Sequence, residues 1–130
     1  KGEYEVNFID GWINDLLLRD PSQSIFLIDS SIAEIYKKDL EVVLNSEKCL
    51  IVDANEENKS LEKFPNYVSS LVNLGVKRGN TLVAVGGGIT QDITSFISMI
   101  LFRGVDWHFF PTTLAAASAA QASISSFADA

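Results

Sequence analysis

Five short apolar runs recur along the chain, separated by segments with helical periodicity. Residues 4–9 alternate loosely, with Tyr4, Val6 and Phe8 on one face, and predict a first strand. Asp10 can cap a short helix over residues 11–19, with Trp12, Ile13, Leu16 and Leu17 inward, and Asp20-Pro21-Ser22 ends it. SIFLI at residues 24–28 is a compact apolar run ending at Asp29. Ser31 and Glu34 then have the spacing of a capping box, which predicts a helix over about residues 32–38. Residues 42–44 read as a further turn or a connector. CLIVD at residues 49–53 is another strand, followed by a polar stretch over residues 54–60.

Leu61, Phe64, Val68, Leu71 and Val72 return to helical spacing. Pro65 either lies in the first turn of that helix or kinks it. Gly75 suits its C-terminal cap, and Arg78-Gly79-Asn80 a turn. TLVAV at residues 81–85 runs into Gly86, Gly87 and Gly88. A clear amphipathic helix follows, with Ile89, Ile93, Phe96, Ile97, Ile100 and Leu101 on one stripe. Residues 107–110 form a last apolar run, closed by Pro111. Strands that alternate with helices predict an α/β fold with a mostly parallel sheet. The runs are continuous rather than alternating, as expected of strands covered on both faces.

Composition alters this picture little. With 130 residues, 47% apolar and 21% charged, the chain suits one folded soluble domain. Its net charge of −7 argues against nucleic acid or an anionic membrane as partner. It leaves room for one small phosphorylated ligand, which backbone N–H groups can hold. Cys49 is the single cysteine, so a disulfide framework and a Cys-rich zinc site are both excluded. It reads as a buried structural thiol, in keeping with a reducing, cytoplasmic setting. No uncharged apolar stretch approaches the ~20 residues of a membrane span. Residues 114–130 are alanine-rich and lack Lys, Arg, Gly and His, a break from the rest of the chain.

The chemistry concentrates where the fourth run meets its helix. Three glycines between a strand and a helix let backbone N–H groups approach an anion at the helix N-terminus. The usual dinucleotide pattern G-x-G-x-x-G is absent, and a tight turn without ligand is the alternative. Asp92, one turn into the helix, is either a partner of the helix dipole or an acceptor for sugar hydroxyls. Glu56, Glu57 and Lys59 form either a solvated loop or a ribose-recognising strand end, and Asp29 carries the same ambiguity. Thr112 and Thr113 either cap a following helix or face the ligand edge. His108 reads as a packed or surface histidine, and nothing assembles a metal site.

In order, these pieces are KSLE at residues 59–62, VAVGGGITQD at 83–92, FRGVDW at 102–107 and PTTL at 111–114. That series resembles 3-dehydroquinate synthase and its relatives, the NAD-dependent sugar phosphate cyclases, over roughly residues 29–114. The resemblance implies a Rossmann-like domain that binds NAD. Glu56 and Lys59 then meet the adenosine ribose, and Gly88 to Asp92 match the pyrophosphate loop and its aspartate. Thr112 and Thr113 match the Thr pair that contacts the cofactor. With Asp29, Gly86 and Gly87, these make up the expected cofactor-binding set.

It further implies a phosphorylated sugar substrate, a usual dimer, and a helical second domain with Zn or Co held by one Glu and two His. The family reaction oxidises a substrate hydroxyl with NAD, eliminates phosphate, reduces the ketone back and closes a ring. Sedoheptulose 7-phosphate or glucose 6-phosphate cyclases are alternatives, as is a non-catalytic nucleotide-binding domain. The glycerol dehydrogenase group shares the glycine loop but fits the later motifs less well. After Leu114 the chain departs from the family: the positions of its Asp and first Lys hold Ala119 and Ser125. We expect residues 1–114 to form the NAD-binding domain. Residues 115–130 are expected to form an atypical tail that replaces or abbreviates the family's catalytic loop. The helical metal domain and its ligands are expected to be absent from this chain, and the 130-residue polypeptide alone to be inactive.

Overall fold

The computed structural model describes residues 12–20, 22–55, 57 and 62–112. Its elements run α1 (Trp12–Leu17), β1 (Ser24–Asp29), α2 (Ser30–Ile35), α3 (Glu41–Leu44), β2 (Cys49–Val52), α4 (Phe64–Asn73), β3 (Thr81–Gly86), α5 (Gly88–Ile100) and β4 (Trp107–Pro111). The described strands form one sheet in the order β2-β1-β3-β4, and every pairing is parallel. The expected α/β fold with a parallel sheet is therefore found. The strand predicted over residues 4–9 and the tail from residue 113 lie outside the described residues.

Each continuous apolar run is divided between two cores by the two-residue period of a strand. Ile25 and Leu27 of β1, with Leu82 of β3, pack with Leu71, Ile93 and Ile97 from α4 and α5. Phe26 and Ile28, with Val83 and Val85, pack instead with Leu16, Ile32 and Val43 from α1, α2 and α3. A sheet buried on both faces needs no polar position along its central strands, which is why these runs show no alternation.

The helix ends follow local chemistry. Pro65 sits in the first turn of α4, where its missing N–H costs nothing. At the other end Gly75 adopts φ 89°. Its N–H donates to the Val72 carbonyl at 2.9 Å, and that of Val76 to the Leu71 carbonyl at 3.1 Å. This is a Schellman closure, with Val76 and Leu71 both in the core. Lys48 reinforces it by donating from Nζ to the Leu74 carbonyl at 3.0 Å.

Three expectations are corrected. α2 is capped by Asp29, not Ser31: the Asp29 carboxylate accepts from the Ser31 N–H at 3.0 Å and the helix begins at Ser30. Both residues can cap, and the carboxylate at the strand end reaches the first free amides. Leu17 is 43% exposed because α1 stops at that residue. Ile100 is 50% exposed, because the buried stripe of α5 runs through Thr90, Thr94 and Ser98 as well as Ile93 and Ile97. Among the described residues no helix is long and apolar enough to cross a membrane.

Candidate dinucleotide site

In a parallel sheet all strands end on one edge, and here that edge gathers Asp29, Asp53, Gly86 and Thr112. From β1 the chain moves outward through α2 and α3 to β2, then crosses back through α4 to β3 on the other side of β1. The junction between β1 and β3 is thus a topological switch point, the crevice where open α/β sheets bind ligands. Ile28 pairs with Val85 there, which sets Asp29 beside Gly86.

The three glycines are not equivalent. A Cβ on Gly86 would lie 2.7 Å from Thr90 Oγ1 and 2.9 Å from the Asp29 Cβ, so packing alone demands glycine. At Gly87 and Gly88 a Cβ would meet nothing within 4 Å among the described residues. Their bareness leaves backbone open to the outside of the sheet edge. Gly87 is the N-cap of α5 and offers no side-chain cap, and the first turn contains no acidic residue. The N–H groups of that turn therefore present the positive end of a 13-residue helix.

Neighbouring side chains complete the rim. The Thr112 amide donates to the Gly86 carbonyl at 3.0 Å, tying the end of β4 to the turn. Among the described residues, Thr112 Oγ1 is buried without a hydrogen-bond partner, and so is Thr90 Oγ1 beneath Gly86. Asp29 Oδ1 accepts from the N–H and the hydroxyl of Ser31, both at 3.0 Å. Asp29 is thus a helix cap whatever else it does. Asp92 is exposed, one helical turn beyond Gly88. Asp29, Gly86, Gly87, Gly88 and Thr112 come together at the switch point, and Asp92 follows one turn further along α5. Glu56, Lys59 and Thr113 lie outside the described residues.

A second feature of this edge was not singled out from the sequence. Ile51, Asp53, Lys63, Asn66 and Tyr67 line a cleft of about 250 Å³ beside the end of β2. Burial raises the Tyr67 phenol above its ordinary pKa, and the Asp53 charge adds to that. The cleft joins a strand end to a helix face, so spacing along the chain gives no sign of it. Elsewhere, burial pushes the Cys49 thiol up to about 11, which fits a structural thiol. His108 is half-buried in β4, level with Val83.

Two features make this edge fit a dinucleotide diphosphate: bare backbone at a helix N-terminus, and buried hydroxyls lacking partners. A divalent metal does not fit, because among the described residues no three His, Cys, Asp or Glu side chains converge.

Residues 49–126 match the family described as 3-dehydroquinate synthase N-terminal. The chain belongs to the 3-dehydroquinate synthase family. It is 31% identical over 101 residues to the 3-dehydroquinate synthase of Staphylococcus epidermidis, covering 76% of this chain and 28% of that protein. It is 32% identical over 112 residues to the 2-deoxy-scyllo-inosose synthase of Streptoalloteichus tenebrarius, covering 83% of this chain and 29% of that protein. A solved 2-deoxy-scyllo-inosose synthase, complexed with carbaglucose-6-phosphate, NAD+ and Co2+, shares the fold. The TM-score is 0.63 at 21% identity, over 88% of this chain and 33% of that one. The chain thus spans less than a third of the length of the first of these relatives.

Proposed function

We propose that this chain is the NAD-binding part of a 3-dehydroquinate synthase-like enzyme. The observation that carries the reading is the Gly86-Gly87-Gly88 turn at the switch point between β1 and β3, with open backbone at the N-terminus of α5. The NAD+ bound to the 2-deoxy-scyllo-inosose synthase of the same fold supports it.

In this reading the N–H groups of the first turn of α5 hold the diphosphate. The Thr112 hydroxyl donates to the cofactor, and Thr113 is the second threonine of the proposed cofactor-binding pair. Asp29 keeps Oδ1 on Ser31 and offers its other oxygen to a ribose hydroxyl. Asp92 accepts from a sugar hydroxyl. Glu56 and Lys59 serve the adenosine ribose, and the cleft at Asp53 and Tyr67 lies on that side of the edge. NAD, when bound, would supply a reversible hydride acceptor for the carbon that bears a substrate hydroxyl. Its protein partners hold and orient it and exclude water.

For the whole enzyme we propose NAD-assisted phosphate elimination and cyclisation of a phosphorylated sugar acid, in a cytoplasmic homodimer. In this reading residues 1–114 are the nucleotide-binding unit, and residues 115–130 are an alanine-rich stretch that replaces or abbreviates the family's catalytic loop. No step is assigned to a metal on the described residues. A cyclase acting on a different sugar phosphate is the second reading, favoured by the 32% identity to 2-deoxy-scyllo-inosose synthase. Calorimetric titration with NAD tests the common core of both. Saturable binding of one NAD per chain is expected, and no binding at millimolar NAD sinks the reading.

A further inference from the structure

Helix α5 buries three hydroxyl residues four apart, Thr90, Thr94 and Ser98. Two of them are satisfied along the helix. Thr94 Oγ1 donates to the Thr90 carbonyl at 2.8 Å, and Ser98 Oγ to the Ser95 carbonyl at 2.7 Å. Such back-bonding is the usual resolution for a buried hydroxyl in a helix.

Thr90 is denied it. The residue four earlier is Gly86, which belongs to β3, and its carbonyl accepts the Thr112 amide at 3.0 Å. Thr90 is 0% exposed, and its Oγ1 has no hydrogen-bond partner among the described residues. A buried hydroxyl left unpaired is destabilising, and valine would fill the same space without that cost. The hydroxyl lies directly against the glycine turn, 2.7 Å from where a Gly86 Cβ would stand.

We propose that Thr90 is a positioning residue of the turn, its hydroxyl gaining a hydrogen bond from the turn's backbone when a dinucleotide diphosphate binds. This rests on the NAD reading above. Thr90 is the third residue of α5 and Gly87 its N-cap. A side chain at the third position can accept from the N–H of the cap, the reciprocal half of a capping box. Closing that bond fixes the peptide plane between Gly86 and Gly87. The N–H groups of Gly88 and Ile89 are then left for the diphosphate. Gly86 has no Cβ to obstruct the adjustment.

The test compares Thr90→Val and Thr90→Ser in the full chain by NAD calorimetry, melting of the ligand-free protein and amide exchange. Thr90→Val is expected to weaken NAD binding about tenfold, the worth of one hydrogen bond. Its ligand-free Tm stays equal or rises, since an unpaired buried hydroxyl is removed. Thr90→Ser retains binding, and NAD slows exchange of the Gly87 amide in the unsubstituted chain and in Thr90→Ser but not in Thr90→Val. Equal NAD affinity of Thr90→Val and the unsubstituted chain overturns this proposal alone. So does a joint fall of ligand-free Tm and affinity in Thr90→Val, the mark of a purely structural role. Failure of the unsubstituted chain to bind NAD overturns the cofactor reading as well.

Discussion

Asp29 and Gly86 end adjacent parallel strands so closely that a Cβ on Gly86 would lie 2.9 Å from the Asp29 Cβ. This contact joins a helix cap, a glycine turn and a switch point in one place. It also separates residues that glycine-rich sequence alone makes look alike.

Gly86→Ala and Gly88→Ala are therefore expected to differ in kind. At Gly86 the methyl meets Thr90 Oγ1 and Asp29, and overpacking of this sort costs about 1–3 kcal/mol. At Gly88 the methyl meets nothing within 4 Å among the described residues beyond its chain neighbours and its own helix backbone, and it stands at a helical position, so stability is kept or rises by about 0.5–1 kcal/mol. NAD affinity is nevertheless expected to fall for Gly88→Ala, because in the proposed site the methyl would occupy the surface that the diphosphate approaches. Urea denaturation and NAD titration of the two variants check the contrast.

Asp29 caps α2, and substitution separates that observed role from the proposed one at the cofactor. Asp29→Ala removes the cap of α2, worth about 1 kcal/mol, and lowers both stability and NAD affinity. Asp29→Asn keeps an acceptor for the Ser31 N–H but loses the charge. It is expected to melt close to the unsubstituted chain while binding NAD more weakly. Equal NAD affinity of all three proteins would assign Asp29 to capping alone.

Cys49 gives a pH-dependent prediction. Burial raises its thiol from 9.0 to about 11 in the folded chain, so the folded state holds its proton more tightly than the unfolded one. The resulting stability is fully present below pH 9.0 and is lost as pH rises through about 11. Cys49→Ala is expected to remove that alkaline part of the stability profile. At neutral pH the native thiol is expected to react more slowly with a disulfide reagent than the unfolded one.

Much of this was legible in the sequence. SIFLI, CLIV and TLVAV became strands because a two-sided sheet needs nothing but apolar residues along its middle. Pro65 and Gly75 marked the ends of α4 through their fixed backbone preferences. The start of α2 was displaced, because Asp29 and Ser31 are both competent caps and only the end of β1 decides between them. The buried hydroxyl stripe of α5 was hidden, since Thr94 and Ser98 read as polar until carbonyls of the helix satisfy them, and Thr90 has no such partner among the described residues. The switch point depends on the order of strands in space, which no spacing along the chain encodes. The cleft of Asp53, Lys63, Asn66 and Tyr67 was hidden for the same reason.

The central claim is that NAD binds at the N-terminus of α5, at the switch point. Amide chemical-shift mapping during NAD titration tests it most directly. The largest shifts are expected at Gly87, Gly88, Ile89 and Thr112, with smaller ones near Asp53. Shifts confined to the opposite end of the sheet, around Phe102 to Asp106, or no shifts at millimolar NAD, would contradict it.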